Sequence, residues 1–214
     1  MRVFLLSIFS LFVFSNVYAQ NDRAFFWKIT DAKDNTEHFT SVQKKGEKAT
    51  VYLLGSIHFA DKSFYPLRKE IEDAFEDSDS LVVELDISKT DHQVYNEILA
   101  QRGIYKDGRT IKDVLSEQTW LQLRQRLQHL GISYDSVKNY KPGVLVVTLT
   151  AVQVMKMGFD PDLGIDAYFL SKAVEQSLVP RGKAKQIIEL ESLEQQLNLF
   201  INIPDGELLL KESL

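Results

Sequence analysis

Between Ala49 and Asp86 the chain reads strand, helix, strand within 38 residues, and that order most limits what it can fold into. "ATVYLL" is a β-branched, apolar run that stops at Gly55. Pro66 then suits the first position of a helix, where its missing N–H costs nothing. Leu67, Ile71, Ala74 and Phe75 share one helical face, with Arg68, Lys69, Glu72 and Asp73 elsewhere. "SLVVELD", Ser80 to Asp86, is an apolar run of strand length. A βαβ unit has this size, and its two strands run parallel because the helix carries the chain back.

The flanking segments extend that unit. Upstream, "AFFWKIT", "HFTSVQ" and "ATVYLL" alternate with the turn-rich "DAKDN" and "KKGEK", a β-meander from Ala24 to Leu54. Downstream the chain turns helical. Thr110 with Asp113 forms a capping box, and Trp120, Leu123, Leu127 and Leu130 keep helical spacing up to Gly131. "VLVVTLTAVQVMKMG" has the length of a buried helix, although its β-branched content also allows a strand. A further helix runs from about Gly164 to Gln176 and buries Ile165, Phe169 and Ala173, before "AKQIIEL" supplies a third parallel strand. Ser192 with Gln195 caps a last full helix carrying Leu193, Leu197 and Phe200. The expected fold is α/β: a mostly parallel central sheet, an N-terminal β-meander and a helical middle segment, forming one domain over residues 20–214. "PDGELLLKESL" opens a helix at Asp205 and stops within it, so that domain is expected to be incomplete at its C-terminus.

Residues 1–19 stand apart. Arg2 is their only charge, Val3 to Phe14 is almost continuously apolar, and Val17-Tyr18-Ala19 ends in a small residue. This is the layout of a secretory signal peptide, with cleavage expected after Ala19 and the mature chain expected in the periplasm or outside the cell; left uncleaved, the segment would act as a membrane anchor. The apolar run falls short of the ~20 residues of a spanning helix, so no stable membrane span is expected after cleavage. A net charge of −5 with interspersed signs and no basic stripe argues against a nucleic-acid partner. The absence of cysteine excludes disulfides and thiolate metal sites.

The chemistry-bearing residues gather at predicted strand ends. His58 follows the first parallel strand, Glu84 and Asp86 end the second, and Glu191 follows the third. In a parallel sheet these ends share one edge, where α/β folds build their sites. Glu84 sits among Val82, Val83 and Leu85, and a carboxylate in such surroundings raises its pKa or finds a cation. A divalent metal held by His58 and Glu84 would satisfy it, with a spare carboxylate such as Asp86 or Glu191 moving protons. Plainer roles fit the same residues. Glu84 and Asp86 suit the wet end of an edge strand, and Glu191, Asp166 and Glu194 suit the first turn of a helix, whose dipole favours acids. His38, His92 and His129 lack such acidic company and read as surface or core residues.

The string "YLLGSIHFADKSFYPLRKEIEDAFEDSDSLVVELDIS" resembles the TraB/GumN family, which is related to the Tiki proteins. Gly55-Ser56-Ile57-His58 matches its opening GxxH motif, and Glu84 in "VVELD" its strand-end acid. "GFDPDLGIDAYFLSKA" looks like the family's "GID" helix, with Asp166 as the acid; "IIELESLEQQL" looks like its Glu-rich segment, with Glu191, Glu194 and Gln196. The likeness covers about Phe25 to Leu210. It implies two related halves, each with a GxxH motif, and a Mn²⁺- or Co²⁺-dependent peptidase-like hydrolase. The alternative it implies is a non-catalytic binder of a pheromone-like peptide or of haem. On this likeness His58 and Glu84 are metal ligands, Glu84, Asp86 and Glu191 catalytic acids and bases, and Gly55, Ser56, Asp166, Glu194 and Gln196 support or bind substrate. No second GxxH occurs in the sequence, because His38, His92 and His129 each lack a glycine three residues earlier.

Overall fold

A computed structural model describes residues 2–8, 25–30, 50–179 and 184–214. Its strands are β1 (Arg2–Ile8), β2 (Phe26–Thr30), β3 (Thr50–Ser56), β4 (Ser80–Val83) and β5 (Gln186–Glu189). Its helices are α1 (Lys69–Asp77), α2 (His92–Ile98), α3 (Glu117–Leu130), α4 (Tyr134–Val137), α5 (Pro142–Lys156), α6 (Ile165–Leu178), α7 (Leu193–Ile201) and α8 (Gly206–Ser213). The chain divides into two compact units. One comprises the residues up to Ser88 with Asp160–Leu190, and the other Lys89–Phe159 with Glu191–Leu214.

The first unit holds the sheet, in the order β2-β3-β1-β4-β5. β1 runs parallel to both β3 and β4, β5 runs parallel to β4, and β2 pairs antiparallel with β3. The α/β class and the mostly parallel sheet therefore agree with the sequence. Of the expected meander, the pairing of β2 with β3 is described, while "HFTSVQ" lies outside the described residues. β3 and β4 are parallel, as the βαβ unit predicts, and Arg2–Ile8 lies between them. Nothing in the local pattern of either strand signals an inserted third. The helix expected at Pro66 begins at Lys69, and Pro66 belongs to the loop before it.

One face of the sheet is covered by α1 and α6. Ile71, Ala74 and Phe75 from α1 pack with Ile165, Phe169, Leu170 and Ala173 from α6 over Leu54, Leu81 and Val83. The rings of Phe75 and Phe169 lie 4.8 Å apart at their centroids and are fully buried. A polar clamp closes the rim of this interface: Tyr168 Oη donates to Glu72 Oε1 (2.6 Å) and Lys172 Nζ to Glu72 Oε2 (2.6 Å). Buried Lys185 ends α1 from outside. Its Nζ donates to the Ser78 carbonyl (2.6 Å) and lies 4.5 Å from the Phe75 ring centre, a cation where the helix dipole is negative.

The second unit is helical. Leu123, Leu127 and Leu130 of α3 pack with Leu145 and Leu149 of α5 and Leu210 of α8. Gly131 ends α3 in the left-handed region (φ 71°), as its place after the apolar stripe predicts. Both expected capping boxes form, Thr110–Asp113 on a short 3₁₀ turn and Ser192–Gln195 on α7. "VLVVTLTAVQVMKMG" is helix α5, so length outweighed its β-branched content. Among the described residues no helix is long and apolar enough to cross a membrane.

Candidate functional site

The first unit brings His58 onto Asp166. β3 ends at Ser56, and the segment after it is stitched to the chain leading into α6. The Ala60 N–H donates to the Asp160 carbonyl (3.2 Å), the Asp160 N–H to the Ala60 carbonyl (2.8 Å), and the Ile165 N–H to the Ile57 carbonyl (2.9 Å). Gly164 permits this approach: a Cβ there would stand 2.5 Å from the His58 carbonyl oxygen and 2.9 Å from its carbon. Gly55 has a similar reason to lack a side chain, since a Cβ would stand 2.9 Å from Phe25 Cβ. The glycine of "GID" thus abuts the His58 backbone and brings the imidazole and the carboxylate together, while that of "GSIH" makes room for Phe25.

His58 Nδ1 lies 2.9 Å from Asp166 Oδ2. The carboxylate accepts only, so Nδ1 carries the proton and Nε2 is left as the nitrogen that meets a ligand. The side chain of His58 is 44% exposed and that of Asp166 9%. The hydrogen bond that His58 donates to Asp166 raises the imidazole pKa above its ordinary value of 6.5; burial opposes this, and the charges of Asp166 and Glu84 add to it. Asp166 is in the first turn of α6, where the helix dipole suits an acidic residue, so its place on the helix and its hold on the histidine coincide. Its Oδ1 is buried without a hydrogen-bond partner among the described residues, as is Ser56 Oγ.

The same unit carries an open cleft of about 500 Å³ lined by Lys62, Tyr65, Pro66, Asp162, Leu163 and Tyr168. Tyr65 Oη donates to the Leu163 carbonyl (2.7 Å), and its ring stands 5.0 Å from that of Tyr168. Burial and the charges of Tyr168, Asp166 and Glu72 push the Tyr65 phenol up to about 12, so it stays protonated at any ordinary pH. Tyr65 and Tyr168 are 103 positions apart, and no local pattern pairs them.

The other acids are placed differently. Glu84 directly follows β4, and its charge acts on His58. Asp86 is buried and turned to its own loop, where Oδ1 accepts from the Ser88 N–H (3.2 Å) and hydroxyl. The acid that joins the ends of β4 and β5 is Glu189, whose Oε1 accepts from the Asp86 N–H (2.8 Å). Glu189 ends the strand "QIIE", and nothing in its local pattern marks it as a bridging acid. Glu191, Glu194 and Gln196 belong to the second unit, around the start of α7. There Glu194 accepts from Arg102 Nη1 (2.7 Å) in an exposed ion pair.

A metal would have His58 Nε2 and Glu84 as donors, and a histidine braced through Nδ1 by a carboxylate suits ligation. Among the described residues, however, no group of three or more His, Asp or Glu is gathered to hold an ion. Two donors fall one short of the three that a protein-held catalytic ion takes, so these residues do not by themselves fit a metal centre.

Comparison with known proteins relates the chain to others by sequence. The chain is 28% identical over 164 residues to proteins of Escherichia coli strain K12 and Shigella flexneri, each titled "Uncharacterized protein YbaP". The match covers 76% of this chain and 56% of each relative, so the chain spans little more than half the length of the curated relatives it matches. No solved structure matches it. The family model described as TraB/PrgY/gumN aligns with residues 39–214, a span that holds Gly55, His58, Glu84, Gly164 and Asp166; by that match the chain belongs to the TraB/PrgY/gumN family.

Proposed function

We propose that the chain is a peptide-directed hydrolase acting in the periplasm or outside the cell, with His58 as its proton acceptor. The observation that carries this reading is the 2.9 Å His58–Asp166 pair, in the unit that also holds an open, tyrosine-walled cleft. Neutral His58 takes a proton on Nε2 from a water that adds to the carbonyl carbon of the substrate. Asp166 holds the Nδ1–H, fixes the ring and stabilises the imidazolium that forms. The same proton then passes to the departing amine nitrogen as the carbon–nitrogen bond breaks. Tyr65 and Tyr168 offer apolar faces to a substrate side chain next to that bond. The layout of residues 1–19 supports the extracytoplasmic setting. Mn²⁺ or Co²⁺ would need donors beyond the described set, and the proposal rests on the imidazole and carboxylates.

The test is hydrolysis of a quenched-fluorescent peptide library by the chain and by its His58→Ala variant. Loss of the base lowers turnover by about 10²-fold or more. The rate climbs as pH rises through the raised pKa of His58, so the ascending limb lies above 6.5, and Asp166→Asn moves that limb down. Undiminished cleavage by His58→Ala removes the assignment.

The incomplete donor set favours a second reading, a binder of peptide or haem in the same cleft without turnover. Saturable binding, with the ligand recovered intact by mass spectrometry, distinguishes it from the hydrolase.

A further inference from the structure

Arg2–Ile8 has the layout of a leader and yet lies at the centre of the sheet. It pairs with β3 from Arg2 opposite Thr50 to Ile8 opposite Ser56, and with β4 at Val3–Ser80, Phe4–Leu81 and Leu5–Val82. Its neighbours are interior strands. β4 is buried along its whole length, and β3 buries Thr50, Tyr52, Leu54 and Ser56. Cutting the chain after Ala19 and losing the leader would leave inward-facing backbone donors and acceptors on both strands unpaired, which costs free energy at each buried group. β3 and β4 cannot simply close the gap. They stand two strand spacings apart, about 9.6 Å, and each is anchored by its other neighbour.

We propose that the place between β3 and β4 is an acceptor site for an apolar parallel strand. Arg2–Ile8 fills it in the intact chain, and cutting after Ala19 turns it into a binding site for such a strand supplied in trans. The ligand's chemistry is that of "RVFLLSI": seven extended residues without proline, glycine or acid. Main-chain hydrogen bonds on two sides would give affinity, as in strand-addition complexes generally, and alternate side chains would set the register.

The intact chain, with a site-specific protease sequence inserted after Ala19, supplies the test. After cutting, the N-terminal piece co-elutes with residues 20–214 on gel filtration and exchanges with a labelled synthetic peptide of residues 2–8. Leu5→Pro removes a ladder donor at the middle of a central strand; in the uncut chain it lowers Tm by about 10 °C, and after cutting it releases the piece. An uncut Leu5→Pro chain with unchanged Tm, or a cut chain that loses its piece at once while keeping its Tm, overturns the proposal.

Discussion

Gly164→Ala is expected to lower stability by about 3 kcal/mol and to part His58 from Asp166. The added carbon would meet backbone, the His58 carbonyl oxygen at 2.5 Å and its carbon at 2.9 Å, so no rotamer change can relieve it. Either the start of α6 or the segment after β3 must move. Both routes strain the Ile165 N–H bond to the Ile57 carbonyl and the 2.9 Å contact between imidazole and carboxylate. Thermal unfolding reads the first effect, as a fall of roughly 6–12 °C in Tm for a chain of this size. The His58 pKa reads the second, falling as its partner withdraws. A Gly164→Ala variant with wild-type Tm and an unchanged imidazole would mean that the two segments do not meet as described.

Phe169→Ala should cost more, about 3–5 kcal/mol. Phe169 is fully buried and faces Phe75, with Leu54, Leu81 and Val83 in the same cluster. Truncation leaves a cavity between α6 and the sheet that the fixed strands cannot collapse to fill. Chemical denaturation gives the figure directly, as a lower midpoint at unchanged slope. A loss below about 1 kcal/mol would show that Phe169 is not a core residue.

Local pattern carried most of the fold. The helical spacing of Ile71, Ala74 and Phe75, the two capping boxes and the glycine after Leu130 are short-range signals, and each element formed where its signal stands. Strand order was not legible in the same way. A parallel neighbour is brought from far along the chain, and nothing in "ATVYLL" or "SLVVELD" says that Arg2–Ile8 separates them. Residues of leader composition are also good strand formers, so one composition serves two readings.

The site was legible in part. His58 and Glu84 stand out because a strand hands them to a loop, whereas Asp166 read equally well as a first-turn acid and serves both purposes. Asp86 reads as a crevice carboxylate, and its Oδ1 also accepts from the Ser88 N–H, a local bond that the order of residues does not announce. Glu189 and the Tyr65–Tyr168 cleft depend on contacts between distant positions and left no mark in the sequence.

The central claim is that Asp166 holds His58, and titration of the His58 imidazole by NMR in the intact chain and in Asp166→Asn tests it most directly. The expected result is a pKa above 6.5 in the intact chain and a lower one in the variant. The sign for stability follows. A raised folded-state pKa contributes stability that is fully present below pH 6.5 and is lost as pH rises through the folded value, so Asp166→Asn flattens that dependence. An imidazole that titrates alike in both proteins, at its ordinary value, would contradict the pair on which the proposed chemistry stands.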